Sequence, residues 1–336
     1  MSILVVIRWG VRIPHLLNYA FCALHSKIEK VFILVPLRYA KEVENYIKKF
    51  YSAFSEDIII VPTVFEINYL LWRRFSVDIP RPYLLAYPNP KRLEKLITLL
   101  LNQGVRREDI IFNVSEPYTL LTYVIVNKFV SKGIGVLTSS SFENVLSPFV
   151  KILWNLVRNR VEQYISVAIA HTYKSKEFLL NLGLQEDIVK IIYPGIDIKL
   201  FYPAPKGEGE RPRRLTLLYV GRLDEEKGIK NLVKAWHYIG KNVSCNLIFV
   251  GEGAFRILVE KLARRYDNVS YLGFLPFELI PKIYRGGDIF LYLSRPKYLY
   301  GIKIREEQFG FAVVEAMASG LTVITTTTGA LPEVVP

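Results

Sequence analysis

The chain has 336 residues, of which 51% are hydrophobic, and a formal net charge of +13. This is enough apolar material for two α/β domains, and it excludes an intrinsically disordered chain. The excess of Lys and Arg suits anionic ligands such as phosphates, nucleic acid or an acidic membrane surface, although it is also typical of proteins from thermophiles.

No metal site or disulfide framework is visible in the sequence. Cys22 and Cys245 lie far apart in apolar stretches, which predicts buried thiols. There is no CxxC, HExxH or calcium-binding loop. The first residues lack the features of a secretory signal, and no apolar run approaches the length of a membrane span, so we expect a cytoplasmic protein.

The first part of the chain alternates short β-branched runs with helical patterns. Strands are predicted at residues 3–7, 31–35, 58–61, 110–114 and 135–138, with helices at 12–26, 40–54, 91–103 and 116–132. This is the βαβ alternation of a doubly wound parallel sheet. We expect it to form a first domain, residues 1–203.

A second βαβ series follows a polar linker predicted at residues 204–214. Its strands are predicted at 215–220, 247–250, 269–272, 289–293 and 322–325, and its helices at 227–239, 254–265 and 311–319. The second domain is therefore 215–336. Two Rossmann-like domains of this kind predict a central cleft between them, in which a ligand binds.

The first chemical motif, residues 221–228, follows a predicted strand and opens a helix. A helix N-terminus with free N–H groups favours an anion. Arg222 can hold a phosphate with two parallel hydrogen bonds, and Lys227 adds a mobile positive charge. The same pattern also fits an ordinary strand–helix turn with charged surface residues.

The second motif places two carboxylates eight residues apart, Glu307 before a helix and Glu315 inside it. Between them, Gly310 permits close approach of a ligand to the helix start. Carboxylates in such positions can accept hydroxyl protons of a sugar or a ribose. Glu315 lies among apolar residues, where a carboxylate needs a partner.

Together with the turn at residues 329–333, these motifs resemble the retaining GT-B glycosyltransferases of family four. Residues 221–228 are similar to that family's G-R-L-x-x-x-K-G segment, and residues 307–320 to its Glu-x7-Glu motif. Residues 329–333 are similar to its G-G-x-P-E, with Ala330 in place of the second glycine. The resemblance is strong over residues 215–336 and looser before them.

The resemblance implies transfer of a sugar from a nucleotide-diphosphate sugar to an acceptor hydroxyl, with retention and without a metal or other cofactor. Arg222 and Lys227 would bind the diphosphate, and both would act in catalysis with Glu307, which would contact the transferred sugar. Glu315 would hold the ribose. Further donor-binding residues implied by the resemblance are Gly10, Gly221, Gly251, Glu252, Phe309, Gly310 and Phe311.

The N-terminal domain departs from the family pattern in two places. The loop from Gly10 to His15 resembles G-G-x-x-x-H, but Val11 replaces the second glycine. Ser115 stands before Glu116 where many members carry a histidine. His15, Ser115 and Glu116 are therefore the candidate residues on the acceptor and sugar side, although a packed or exposed structural histidine is the simpler interpretation of His15.

The C-terminal domain departs from the pattern as well. Residues 295–305 insert a loop rich in Tyr, Lys and Arg before Glu307, where it would border the donor site. The sequence stops at Pro336, before the strands and helix with which the family normally continues, so the C-terminal domain is expected to be shortened.

A helical pattern at residues 146–160 leaves a membrane interpretation open. Its apolar stripe includes Leu153, Leu156 and Val157, with Lys151 and Arg158 beside it. A core-facing helix is the simpler interpretation; contact with an acidic membrane surface would favour a lipid-linked acceptor over a soluble sugar.

Three other functions compete with the transferase. A dehydrogenase would need G-x-G-x-x-G after the first strand, and residues 251–253 lack the third glycine. No nucleic-acid partner is expected, because no binding motif is present and the basic residues are scattered. A catalytically degenerate protein that binds a nucleotide sugar without transferring it is the remaining alternative.

Overall fold

The computed structural model describes residues 3–7, 28–50, 52–63, 65–67, 86–114, 120–129, 135–140, 148–204, 214–240, 242–299 and 301–335. The chain divides into two compact units, the first ending at Pro194 and the second beginning at Gly195. In the part of the chain described here, no helix is long and apolar enough to span a bilayer.

The first unit is built on a parallel sheet. Its strands are β1 (Ile3–Ile7), β2 (Lys30–Pro36), β3 (Ile58–Thr63), β4 (Phe65–Ile67), β5 (Ala86–Pro88), β6 (Ile110–Val114), β7 (Gly135–Ser140), β8 (Ile165–Ala170) and β9 (Val189–Ile191). The sheet order is β3-β2-β1-β6-β7-β8-β9, whereas β4 and β5 pair with each other in antiparallel fashion. Strand β1 is buried along its whole length, as the continuous apolar run predicts for a parallel sheet.

Helices follow the strands of this sheet and begin with recognisable caps. They are α1 (Ala40–Phe50), α2 (Pro90–Asn102), α3 (Leu120–Phe129), α4 (Pro148–Glu162) and α5 (Tyr173–Asn181). The Asn89 side chain accepts hydrogen bonds from two backbone N–H groups of α2, and Thr172 with Ser175 forms a capping box at α5.

The second unit contains a smaller parallel sheet. Its strands are β10 (Leu215–Val220), β11 (Cys245–Val250), β12 (Val269–Tyr271), β13 (Ile289–Tyr292), β14 (Lys297–Leu299), β15 (Ile302–Arg305) and β16 (Thr322–Thr325). Its helices are α6 (Ile229–Ile239), α7 (Arg256–Arg265), α8 (Ile280–Arg285), α9 (Phe311–Ala318) and α10 (Leu331–Val334). The order β12-β11-β10-β13-β16 reverses direction between β10 and β13. Ligands of doubly wound sheets bind at such a switch point, beyond the carboxyl ends of the strands.

The predicted α/β class with two Rossmann-like, doubly wound sheets is confirmed in both units. The sequence did not predict β8, α8 or the β4–β5 pair. Nor did it predict that residues 295–305 form the antiparallel hairpin β14–β15, rather than an irregular loop. Gly228 has a left-handed φ of 70°, so the helix predicted from Lys227 begins at Ile229 after a separate turn at Glu225–Lys227.

The boundary between the units falls earlier than the predicted end of the first domain at residue 203. Phe201 is only 2% exposed and lies in the core of the second unit, edge-on to Phe277 and Tyr284. The carbonyl of Leu200 also accepts a hydrogen bond from Arg285. This packing ties the segment before the predicted linker to the second unit; residues 205–213 of that linker lie outside the described residues.

Helix α4 is oriented differently from the predicted apolar stripe. Leu156 is 77% exposed, whereas Trp154 is 2% exposed and donates a hydrogen bond to the carbonyl of Leu182 over 2.9 Å. Because the Trp154 indole is buried with its N–H hydrogen-bonded, Leu156 faces away from the core. The interpretation of Leu156 as a core residue was therefore wrong.

Candidate functional site

Four of the predicted site residues of the second unit lie at the switch point of its sheet, namely Gly221, Arg222, Lys227 and Glu307. Gly221 and Arg222 follow β10, and the turn Glu225–Lys227 leads into α6. Tyr292 ends β13, and Ser294 lies two residues beyond it. The carboxyl ends of β10 and β13 are adjacent in the sheet, which brings these two loops side by side.

Gly228 allows this close approach. A Cβ atom at this position would lie 1.8 Å from the carbonyl oxygen of Leu293, a separation that no side chain can accept. The glycine therefore lets the start of α6 press against the backbone that follows β13. The neighbouring Lys227 reaches the Tyr292 side chain, with its Nζ 5.0 Å from the ring centroid.

Lys227 and Glu307 form a largely buried ion pair. The Lys227 Nζ lies 2.6 Å from Glu307 Oε2 and donates to the Tyr292 hydroxyl, also over 2.6 Å. Glu307 Oε2 accepts from the Tyr292 hydroxyl at 3.0 Å and lies 3.0 Å from Ser294 Oγ. The side chains of Lys227 and Glu307 are 16% and 9% exposed.

These contacts keep Glu307 ionised. Burial alone would raise the pKa of Glu307, but the charge of Lys227 and hydrogen bonds from Lys227, Ser294 and Tyr292 together hold that pKa below its usual value. The site therefore presents a fixed negative carboxylate beside a fixed ammonium group, partly shielded from water.

The turn at residues 329–333 fixes the backbone of Glu307. The Ala330 N–H donates to the Glu307 carbonyl over 3.0 Å. A Cβ at Gly329 would lie 2.0 Å from that same oxygen. Ala330 has a right-handed φ of −85°, so alanine fits without strain where the resembling family has its second glycine.

Arg222 lies in a second charged cluster beside the first. Its guanidinium contacts Asp224 and places Nη2 2.5 Å from Glu226 Oε1. Burial would lower the pKa of Arg222, but the bond to Glu226 and the charge of Asp224 raise it above its usual value. Arg305, at the end of the β14–β15 hairpin, reaches the same Glu226 oxygen at 3.2 Å.

The start of α9 is close to the Glu307 cluster in sequence and is shaped by Gly310. This residue adopts a left-handed φ of 86° immediately before the helix. Phe309 is buried and lies edge-on to Phe311, with ring centroids 4.9 Å apart. The Glu315 carboxylate lies 3.3 Å from the buried Tyr284 hydroxyl, which also lies 3.1 Å from the Ala312 carbonyl, so this carboxylate has a polar neighbour among apolar residues.

The glycines after β10 and β11 pack their two loops together. A Cβ at Gly251 would lie 1.9 Å from the Gly221 carbonyl oxygen, and the Gly221 N–H donates to the Val250 carbonyl over 3.0 Å. Gly251 is therefore required by packing within the protein, independently of any ligand. Glu252 is 42% exposed and pairs with Arg256.

Four predicted residues lie outside the described part of the chain, namely Gly10, His15, Ser115 and Glu116. Among the residues that the structure does describe, no group of three or more His, Cys, Asp or Glu side chains could hold a metal ion. Cys245 is a buried free thiol, as predicted.

Sequence reasoning missed four residues of this site: Glu226, Tyr292, Ser294 and Arg305. Tyr292 and Ser294 had one usable signal, because they are polar groups at the carboxyl end of a buried strand next to the switch point. Arg305 and Glu226 had no comparable signal, since their pairing depends on the hairpin folding back to the turn before α6.

The sequence of the second unit is similar to that of known proteins. Residues 204–336 match the family model described as glycosyl transferases group 1. The matched residues lie within the second unit. A stretch of 173 residues is 34% identical to one component of the human phosphatidylinositol N-acetylglucosaminyltransferase, covering 50% of this chain and 33% of that protein.

A second relative, an uncharacterized glycosyltransferase of Methanocaldococcus jannaschii, is 31% identical over 45% of this chain and 39% of its own length. The chain thus spans well under half of either relative. Among solved structures, Anabaena HepE in complex with UDP aligns with a TM-score of 0.66 at 16% identity, covering 100% of this chain and 83% of that chain. A glycosyltransferase from Rickettsia africae gives 0.68 at 14% identity, over 99% and 81%. These structures share the GT-B fold.

Proposed function

We propose that this protein transfers a glycosyl group from a nucleoside diphosphate sugar to an acceptor hydroxyl, because residues 204–336 match the family model of the group 1 glycosyl transferases. The buried Lys227–Glu307 pair at the sheet's switch point carries the proposal. An ammonium beside an oriented carboxylate suits a ligand that joins a phosphate to a sugar.

In this proposal, catalysis is electrostatic. Negative charge accumulates on the departing diphosphate as the bond to the sugar breaks, and Lys227 and Arg222 stabilise that charge more strongly than they stabilise the bound donor. Positive charge supplied by these two side chains is the reason to expect transfer without a metal ion. The sugar keeps its anomeric configuration.

The two carboxylates orient the donor. Glu307 is ionised and its backbone is fixed by the turn at Gly329, so it accepts hydroxyl protons of the transferred sugar. Glu315 lies within the first turns of α9 and accepts from the ribose hydroxyls. The backbone at Phe309 and Gly310 contacts the sugar and the phosphate.

A nucleotide sugar as donor is supported by HepE, whose solved complexes contain UDP and UDP-glucose. The acceptor hydroxyl belongs to a glycan, a lipid-linked acceptor or a small molecule. Its contacts belong to the first unit, at His15, Ser115 and Glu116.

The test is binding and turnover with UDP-, GDP- and ADP-sugars, for the unaltered chain and for Glu307→Gln and Lys227→Met. Lys230→Met is the matched control, since Lys230 is a half-exposed lysine three residues further along whose ion pair is with the exposed Glu225. We expect selective binding of one donor, transfer that persists in EDTA, and loss of transfer in the first two variants alone.

Two outcomes would contradict the proposal in different ways. Donor binding without transfer, over a broad panel of acceptors, would identify a catalytically degenerate nucleotide-sugar-binding protein. Absence of binding to every donor by the folded chain would refute the donor site itself.

A further inference from the structure

The β14–β15 hairpin places a second arginine beside the residues assigned to the donor diphosphate. Arg305 is the last residue of β15, and its Nη1 lies 3.2 Å from Glu226 Oε1. The Arg222 Nη2 lies 2.5 Å from the same oxygen. One carboxylate oxygen therefore lies between two guanidinium groups.

The main chain of Glu226 holds this arrangement in place. Its carbonyl oxygen accepts from the Arg295 N–H over 2.9 Å and lies 2.9 Å from Ser294 Oγ. These bonds fasten the turn before α6 to the segment that enters the hairpin. The spacing between Arg222 and Arg305 is thus set by the backbone as well as by the shared carboxylate.

The charge balance of the cluster gives Arg305 a role beyond this pairing. Asp224, Glu226 and Glu307 face Lys227 and Arg222, so without Arg305 the carboxylates would outnumber the cations. Such a cluster would repel the negative charges of a diphosphate. With Arg305 included, the positive charges of the cluster equal the negative charges, and the added cation lies next to Arg222.

Arg305 also retains the means to bind a ligand. Its side chain is 40% exposed, and its hydrogen bonds to described residues use Nη1 alone. Its remaining N–H groups can form the two parallel hydrogen bonds that suit phosphate oxygens.

We propose that Arg305 is a third cationic ligand of the donor diphosphate, presented by the hairpin and held beside Arg222 through Glu226. The inference rests on the proposed function. It makes the hairpin a specificity element that favours nucleoside diphosphates over monophosphates.

The experiment compares the affinities of paired nucleotides by titration calorimetry on the full chain. UDP, GDP and ADP first identify the preferred base, and the matching monophosphate is then measured beside the diphosphate. The variants are Arg305→Met, Arg305→Lys and Lys297→Met. Lys297 is an exposed cation directly opposite Arg305 in the hairpin, so its loss reports general electrostatics only.

Arg305→Met should weaken diphosphate binding about tenfold, the loss expected for a charge-assisted hydrogen bond, and leave monophosphate binding nearly unchanged. Arg305→Lys should restore part of the difference, and Lys297→Met should preserve the ratio of the two affinities.

Equal weakening of both nucleotides in Arg305→Met, or the same fall in ratio in Lys297→Met, would overturn the inference while leaving the proposed function intact. If the unaltered chain binds none of the three diphosphates, the proposed function fails and the inference fails with it.

Discussion

At the scale of single residues, the Tyr292 hydroxyl joins the two charges of the site. It accepts from Lys227 and donates to Glu307, so it fixes the distance and direction between an ammonium and a carboxylate. A phenylalanine would fill the same volume without this link. Buried polar groups of this kind stabilise a protein only when every member has its partner.

Tyr292→Phe is therefore expected to lower the free energy of unfolding by about 1–2 kcal/mol, because two hydrogen bonds to charged groups are lost inside the protein. Urea denaturation followed by circular dichroism measures the change. Tyr298→Phe removes a hydroxyl from an exposed tyrosine of the hairpin and serves as control. Equal stabilities of the two variants would show that the Tyr292 hydroxyl contributes nothing to the cluster.

The lowered pKa of Glu307 predicts how stability depends on pH. A carboxyl group whose pKa is lower in the folded than in the unfolded protein stabilises the fold above its unfolded pKa, about 4.3 for Glu. That contribution is lost as pH falls through the lower, folded pKa.

Glu307→Gln should accordingly reduce stability at pH 7, and the deficit relative to the unaltered chain should shrink as the pH falls below about 4. Thermal unfolding of both proteins across the acid range tests this. A deficit that stays constant down to the acid limit would mean that the pKa of Glu307 is not lowered by its partners.

At the scale of elements, glycines decide how closely the loops of the second unit approach one another. Gly228 lies against Leu293, Gly251 against Gly221, and Gly329 against Glu307. The first and third of these contacts place the ammonium and the carboxylate of the site. The geometry of the side chains thus depends on close contacts between backbone segments.

Gly329→Ala is expected to destabilise the protein and displace Glu307, because the new Cβ would lie 2.0 Å from a backbone oxygen and φ is left-handed at 63°. We expect a loss of more than about 1 kcal/mol, the scale of one strained residue. Differential scanning calorimetry checks it. Gly195→Ala is the control, since a Cβ there meets no atom within 4 Å; an equal shift in both variants would refute the backbone argument.

Sequence patterns predicted most elements of the second unit because β10, β11 and β13 are largely buried apolar runs, and amphipathic helices follow β10 and β11. They also gave Arg222, Lys227, Glu307 and Glu315 as candidate site residues, because these belong to motifs with fixed spacing, and the structure brings Lys227 and Glu307 into contact. The pairing of Glu226 with Arg305 was not predicted, because the two residues are 79 positions apart in the sequence. They come together only because the hairpin folds back to the turn before α6. Leu156 was wrongly predicted to be buried, because helical periodicity alone does not show which of the two apolar faces of α4 packs against the core.

At the scale of the whole molecule, the two units have separate hydrophobic cores, and Phe201 belongs to the second. The chain leaves the first unit at Pro194 and anchors to the second before β10 begins. The segment from 195 to 203 is thus part of the second fold, although the composition of the chain changes only later.

Phe201→Ala should destabilise the second unit by about 3–5 kcal/mol, the usual cost of removing a buried aromatic ring, and spare the first. Hydrogen exchange followed by mass spectrometry separates the strands of the two sheets. Ile198→Ala, at a position 74% exposed in the same segment, should change little. Equal loss of protection in β1 and β10 would contradict the assignment of Phe201 to one core.

The balance of cations and carboxylates around Lys227, Arg222 and Arg305 bears on how the proposed donor product would leave the site. Asp224, Glu226 and Glu307 already satisfy these cations through ion pairs within the protein. In the proposed reaction, a diphosphate would compete with these carboxylates for Arg222 and Lys227, and the carboxylates would pair with the same cations again as it leaves. If the proposed transfer takes place here, such competition would limit how tightly the nucleotide product is retained and would favour its rapid release.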